Sequence, residues 1–178
     1  ILVDGIDVTG KEMEAIEKLD GKQLRRLAFT LLCVAKYWDA VSERNDHWAN
    51  TSDREIMQMA NISTSIKRQS ALFAELKNAD MVRFCKKIDN LKVKVVFIEE
   101  GEVALHFHDF RNLGYQYLKH YGAPYFECEN CGLTVKIQEP SRGRRQKYCP
   151  SCAIEVKTRQ NVNAVMRRRN ALRCSAQI

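Results

Sequence analysis

Four of the seven cysteines fall in two tight pairs, Cys128-Glu129-Asn130-Cys131 and Cys149-Pro150-Ser151-Cys152, with seventeen residues between them. Two intervening residues let a tight turn aim both sulfurs of a pair at one ion. A second pair then completes a tetrahedral four-sulfur shell, which suits Zn2+; ligand type alone also admits iron. A closed shell leaves no coordination position for water. The expectation is therefore one structural Zn2+ held by Cys128, Cys131, Cys149 and Cys152. Gly132 directly follows the first pair, at a place where a positive φ is often needed. A metal staple also fits the size of the segment, because about 50 residues bury too little surface to hold together alone.

Other reactive residue types form no convincing set. Cys33, Cys85 and Cys174 are scattered, and Cys33 falls in an apolar helical run where a thiol acts as a small core residue. His106 and His108 share one face of an alternating segment beside Asp109, but no third and fourth ligands accompany them, so they are expected as exposed histidines. His120 lies near the first cysteine pair and is not needed as a ligand. Tyr115, Tyr117, Tyr121, Tyr125 and Phe126 are more readily packing residues of a linking helix than a stacking platform for bases. There is no nucleophile–base pairing, phosphate-binding glycine loop or paired-carboxylate spacing, so the expectation is a binding protein and not an enzyme.

Charge points to the partner. Residues 1–120 carry 18 Lys and Arg against 18 Asp and Glu, and residues 121–178 carry 11 against 4, so the whole excess of +7 lies in the last third. Such an excess implies an anionic partner, most often nucleic acid. Arg142, Arg144, Arg145 and Lys147 precede the second cysteine pair. Lys157, Arg159, Arg167, Arg168, Arg169 and Arg173 follow it. Arginine predominates, which favours planar, bidentate contacts to phosphate. The three consecutive arginines span about 200° of helix circumference, so one can face a duplex while another faces solvent. The sequence has no apolar run near the roughly 20 residues a membrane span needs, and no basic, apolar, small-residue leader. An odd cysteine count without a leader fits a reducing compartment. The expected protein is soluble and cytoplasmic, with no membrane partner.

The elements that must position these groups follow from periodicity and capping. Residues 1–8 alternate loosely, as an edge strand or an ordered arm. Thr9-Gly10-Lys11-Glu12 is a capping box opening a short helix, and Asp20-Gly21 closes it. Leu24, Leu27, Ala28, Leu31, Leu32, Ala35 and Trp38 then recur at helical spacing. A second capping box, Ser52 with Glu55, opens a short helix ending near Ala60-Asn61. A third helical stretch runs through Ile66, Ser70, Phe73 and Leu76. Val82/Phe84, Val93/Val95/Phe97 and Val103/Leu105/Phe107 alternate as three strands of an antiparallel meander, turned at Asp89-Asn90 and Glu100-Gly101. Helical spacing returns through Phe110, Leu113, Tyr117, Leu118 and Tyr121, and Gly122 and Pro124 stop it. Past the first cysteine pair, Val135 and Ile137 alternate around a Ser141-Arg142-Gly143 turn. Residues 153–172 have helix-forming composition, with Ile154, Val162, Val165 and Leu172 able to share a face.

Helix, short helix, turn, helix and hairpin, in that order, resemble a winged helix-turn-helix domain. Residues 54–63, Arg-Glu-Ile-Met-Gln-Met-Ala-Asn-Ile-Ser, resemble its second helix and turn, residues 64–77 its recognition helix, and residues 92–108 its wing. A cysteine knuckle, a hairpin and a second pair opening a helix resemble the treble-clef group of zinc fingers, where a plain zinc ribbon would continue as a strand. Together these imply an α+β chain with an arm and short helix (1–21), a winged-helix-like domain (22–122) and a zinc module with a basic helix (123–178). The combination resembles small bacterial and bacteriophage proteins that bind DNA as regulators or replication accessories. It implies base contacts from Thr64, Ser65, Lys67 and Arg68 at the start of the recognition helix. The other implied role is an interaction protein that docks on a nucleic-acid machine such as a CRISPR nuclease or RNA polymerase.

Overall fold

The computed structural model of the chain describes residues 3–85, 92–138 and 145–175, with side chains described as far as residue 171. Its elements, in order, are β1 (Ile6–Thr9), α1 (Gly10–Glu17), α2 (Lys22–Val41), β2 (Trp48–Ala49), α3 (Asp53–Met59), α4 (Ile66–Asn78), β3 (Val82–Phe84), β4 (Val93–Val95), β5 (Val103–Phe107), α5 (Leu113–His120), β6 (Tyr125–Glu127), β7 (Thr134–Lys136) and α6 (Pro150–Ser175). The fold is mixed α+β and divides into two compact units, Ile1–Tyr125 and Phe126–Ile178.

The first unit is built around α2. Residues 27–35 are all buried, so the middle of the helix is enclosed on every side and not along one stripe, as befits a segment apolar all round. Helices α1, α3, α4 and α5 and strands β1, β2 and β4 pack on it. Phe29 at its centre meets Phe107 of β5 at 5.6 Å and Tyr117 of α5 at 5.1 Å between ring centroids. Both capping boxes form. Thr9 accepts from the Glu12 N–H while Glu12 accepts from the Thr9 N–H, and Ser52 and Glu55 do the same for α3.

The strands pair differently from a meander. β3 and β4 form an antiparallel hairpin, and β4 also pairs with β2, giving the order β2-β4-β3. β5 leaves that sheet and pairs antiparallel with β1, with Ile6 opposite Phe107 and Val8 opposite Leu105. The wing read over residues 92–108 is therefore two things: β4 belongs to the hairpin, and β5 belongs to a separate ribbon with the N-terminal strand. The Asp89-Asn90 turn lies outside the described residues.

α4 carries a second correction. Its core face is Leu72, Phe73 and Leu76. Ile66, which helical spacing groups with Phe73 and Leu76, is 81% exposed, and Ser70 is exposed as well. The spacing 66–70–73–76 is a stripe in sequence that the packing does not follow. Between α3 and α4 the chain turns through Asn61 in the left-handed region, φ 55°. That turn is held from both sides. Arg26 Nη1 donates to the Asn61 carbonyl at 3.0 Å, Asn61 Nδ2 donates to Asn112 Oδ1 at 2.9 Å, and the Tyr115 N–H donates to Asn61 Oδ1 at 3.1 Å.

Candidate metal centre and basic surface

In the second unit β6 and β7 form a two-stranded sheet and α6 follows. The Cys128 N–H donates to the Leu133 carbonyl at 3.0 Å, and the Gly132 N–H donates back to the Cys128 carbonyl at 2.9 Å. This closes the first knuckle. Gly132 has φ +72°, a conformation an L side chain adopts only with strain. The second pair sits where α6 begins, with the Ala153 N–H donating to the Cys149 carbonyl at 2.9 Å. Gln146 braces the approach to it: its Oε1 accepts from the Gln138 N–H and its Nε2 donates to the Tyr148 carbonyl.

The knuckle and the helix start bring all four sulfurs within 4.8 Å of one another. Cys131 Sγ and Cys149 Sγ are 3.8 Å apart, far beyond a disulfide bond of about 2 Å. That separation matches the edge of a tetrahedron with metal–sulfur bonds of about 2.3 Å. Cys128, Cys149 and Cys152 are buried, and with Cys131, Val135 and Tyr148 they form the unit's core. Four cysteines at metal-binding spacing are the donor set of a metal site, so the residues fit the group.

The thiols of the cluster are held in opposite directions by their surroundings. Burial opposes ionisation of Cys128, but backbone N–H groups of Cys149, Cys131 and Asn130 outweigh it and hold this thiol below its ordinary range. The Asn130 amide, 3.3 Å from Cys152 Sγ, favours the Cys152 thiolate. Cys149, burial, Cys131 and Cys128 together outweigh that and hold the Cys152 thiol above its ordinary range. A cation bound between thiols favours their ionised form. Among the other cysteines, Cys33 is fully enclosed and burial pushes its thiol well up, while Cys85 is half-exposed at the end of the hairpin strand.

The basic residues have the following placements. Lys157, Arg159, Arg167, Arg168 and Arg169 are all exposed along α6, and none forms an ion pair among the described residues. Arg145 and Lys147 are exposed before the second pair, and Lys147 lies 3.5 Å from Glu129. Arg142 and Arg144 lie outside the described residues, and Arg173 belongs to α6 with its side chain outside them. Ile154, Val162, Val165 and Met166 are 48–69% exposed, so the apolar positions of α6 have little cover.

At the start of α4, Ser65 is the N-cap and its hydroxyl accepts from the Arg68 N–H. The Thr64 carbonyl accepts from Gln69 Nε2 at 3.1 Å. Arg68 reaches along the helix to Glu75 at 2.7 Å. Lys67 is exposed without an ion pair among the described residues. Ile66 and Ser70, which helical spacing groups with the core, are exposed on α4 together with Ala74. Sequence reading also misplaces His106 and His108 on a wing. They stand on β5, 4.5 Å apart between ring centroids, with His106 against Asp7 at 2.5 Å and His108 against the Asp4 carbonyl at 2.6 Å. Asp109 pairs with Arg111 instead.

No known protein family, curated protein or solved structure matches this chain. Among the described residues, no helix is long and apolar enough to cross a membrane.

Proposed function

We propose that the chain is a nucleic-acid-binding protein, in which a winged helix-turn-helix unit is joined to a zinc finger of treble-clef type whose arginine-rich helix contacts phosphates. One observation carries this reading. The entire charge excess lies in residues 121–178, and the five described cations of α6 are exposed without ion pairs. Cations that stabilise their own fold sit beside carboxylates, whereas these face solvent, as phosphate contacts require. Duplex DNA is the proposed partner, and binding, not catalysis, is the proposed activity.

The winged-helix assignment is supported by the order α2, β2, α3, α4, β3, β4, with β4 between β2 and β3. A short helix, a tight turn and a longer helix lie before a two-stranded hairpin in that order. Zn2+ is the proposed ion because four thiolates in a closed tetrahedral shell are its structural ligand set. A second reading, docking on a nucleic-acid-processing protein, is favoured by the zero net charge of residues 1–120.

The test uses the full chain and duplex DNA of random sequence, titrated by anisotropy at several salt concentrations. Replacing Arg167, Arg168 and Arg169 with Gln is expected to weaken binding and to flatten the plot of log K against log salt. The slope should fall by about 0.9 for each phosphate that is no longer neutralised. Equal binding and an equal slope in the variant would mean that α6 is a solvated surface. Absence of duplex binding by the unaltered chain would move protein docking to first place.

A further inference from the structure

Ile66 gains little from its own fold. It occupies the first turn of α4, is 81% exposed, and is the most exposed large apolar side chain of the described residues. An Ile lowers helix propensity relative to Ala, and here it recovers nothing by burial. Around it the outward face of α4 is shaped for close approach: Ser70 and Ala74, one and two turns further on, are small and exposed. Lys67 is exposed beside them, and Lys77 lies over the Phe84 ring at 5.8 Å. Arg68 pairs with Glu75 at 2.7 Å.

The chemistry of the adjoining groove narrows the ligand. Ile66, Gln69, Ser70, Phe73, Ala74 and Phe84 line a cavity of about 380 Å³ together with Asp53. Asp53 is half-buried and burial raises its carboxyl above the ordinary range. A carboxylate here repels a phosphate but can accept from the exocyclic amino group of a base. Lys77, which also lines the cavity, and exposed Lys67 in the first turn of α4 supply cations that attract phosphate. An apolar knob, small neighbours, an acceptor and a lysine in the groove together match the chemistry of a base edge beside a phosphate.

We infer that Ile66 is a specificity-determining residue that packs against the C5-methyl group of a thymine in the major groove. The inference rests on the nucleic-acid reading above and adds which side chain selects which base. Thymine is the base that presents a methyl group in the major groove, so an apolar side chain there discriminates it.

The probe is a duplex selected by the full chain from a randomised library, then remade with deoxyuridine in place of thymidine. That exchange removes only the methyl groups. Burying one methyl corresponds to about a fourfold change in affinity, so the unaltered chain is expected to bind the uridine duplex about fourfold more weakly. Ile66→Ala should bind the thymidine duplex about fourfold more weakly than the unaltered chain and respond little to the exchange. Since Ile66 lies outside the core, its thermal unfolding should match the parent. The inference is overturned if the unaltered chain ignores the exchange, or if Ile66→Ala responds to it in full. Binding with no sequence preference also overturns it while leaving the arginine–phosphate reading in place. No binding at all removes both. A protein partner whose binding Ile66→Ala weakens, with no duplex bound, would overturn the inference and assign the knob to protein docking.

Discussion

Glu12 has no exposed surface, and its two carboxyl oxygens accept from three donors. The Thr9 N–H donates to Oε2 at 2.8 Å, the Glu99 N–H donates to Oε1 at 3.1 Å, and Lys36 Nζ donates to Oε2 at 2.7 Å. One carboxylate thus caps α1, anchors the segment before β5 and neutralises the lysine of α2. Removing one partner of such a pair leaves a buried charge, which typically costs about 3–5 kcal/mol. Lys36→Met is expected to destabilise the first unit by that amount, read from urea unfolding. In many proteins replacing both members by apolar residues restores stability. Here Glu12→Leu with Lys36→Met should not, because the Thr9 and Glu99 amides lose their acceptor at about 1–3 kcal/mol each. A double variant as stable as the parent would show that the carboxylate serves only the lysine. The same residue explains why the capping box at Thr9 is legible from sequence: Thr and Glu at this spacing satisfy each other locally. Nothing in the sequence announces Lys36 and Glu99, which arrive from distant elements.

Between elements, the most demanding contact is the seat of α5 on the turn from α3 to α4. A Cβ added at Gly114 would stand 1.9 Å from the Ala60 carbonyl oxygen, and that oxygen belongs to backbone that cannot step aside. Helix propensity alone would make Gly114→Ala stabilising by about 1 kcal/mol. The steric argument is stronger, and the variant should instead lose about 1–3 kcal/mol as α5 is pushed off the turn. A rise in melting temperature would mean that α5 is not seated as described. This contact also marks where sequence reading stops. Period and caps locate the helices because they are local properties. Pairing is not local: β5 alternates like a strand of the hairpin sheet, yet its partner is β1, about a hundred residues away. β2 has two residues, too few for any alternation to register. Ile66 misleads for a related reason, since 66, 70, 73 and 76 satisfy helical spacing while the core takes 72, 73 and 76. The cysteines are legible because their C-x-x-C pairs encode the geometry within each knuckle.

At the scale of the whole molecule, the two units are held together by different physics. The first has an apolar core drawn from every helix and strand it contains, so burial of apolar surface holds it together. The second has a core of four cysteines with Val135 and Tyr148, and from it α6 extends for 26 residues, about 39 Å. Beyond Cys152 the described residues of α6 are exposed apart from half-buried Val156. Its apolar positions are thinly covered, so its helicity rests on propensity and on the nucleus that the second cysteine pair provides. Helix nucleation is unfavourable without such an anchor. Metal binding in small sites of this type is folding free energy. Chelation of the full chain is therefore expected to unfold the second unit and much of α6, and to leave the first unit unchanged. The tryptophans make this separable, because both, Trp38 and Trp48, lie in the first unit. Their fluorescence should stay constant while far-UV ellipticity falls, and adding one equivalent of Zn2+ should restore the signal. Cys149→Ser should show the chelated spectrum without chelator, and elemental analysis of the parent should return one zinc per chain. If ellipticity and tryptophan fluorescence change together, the units do not fold separately. If neither changes, the cysteines do not hold the fold, and the exposed arginines of α6 are presented by a helix that stands without them.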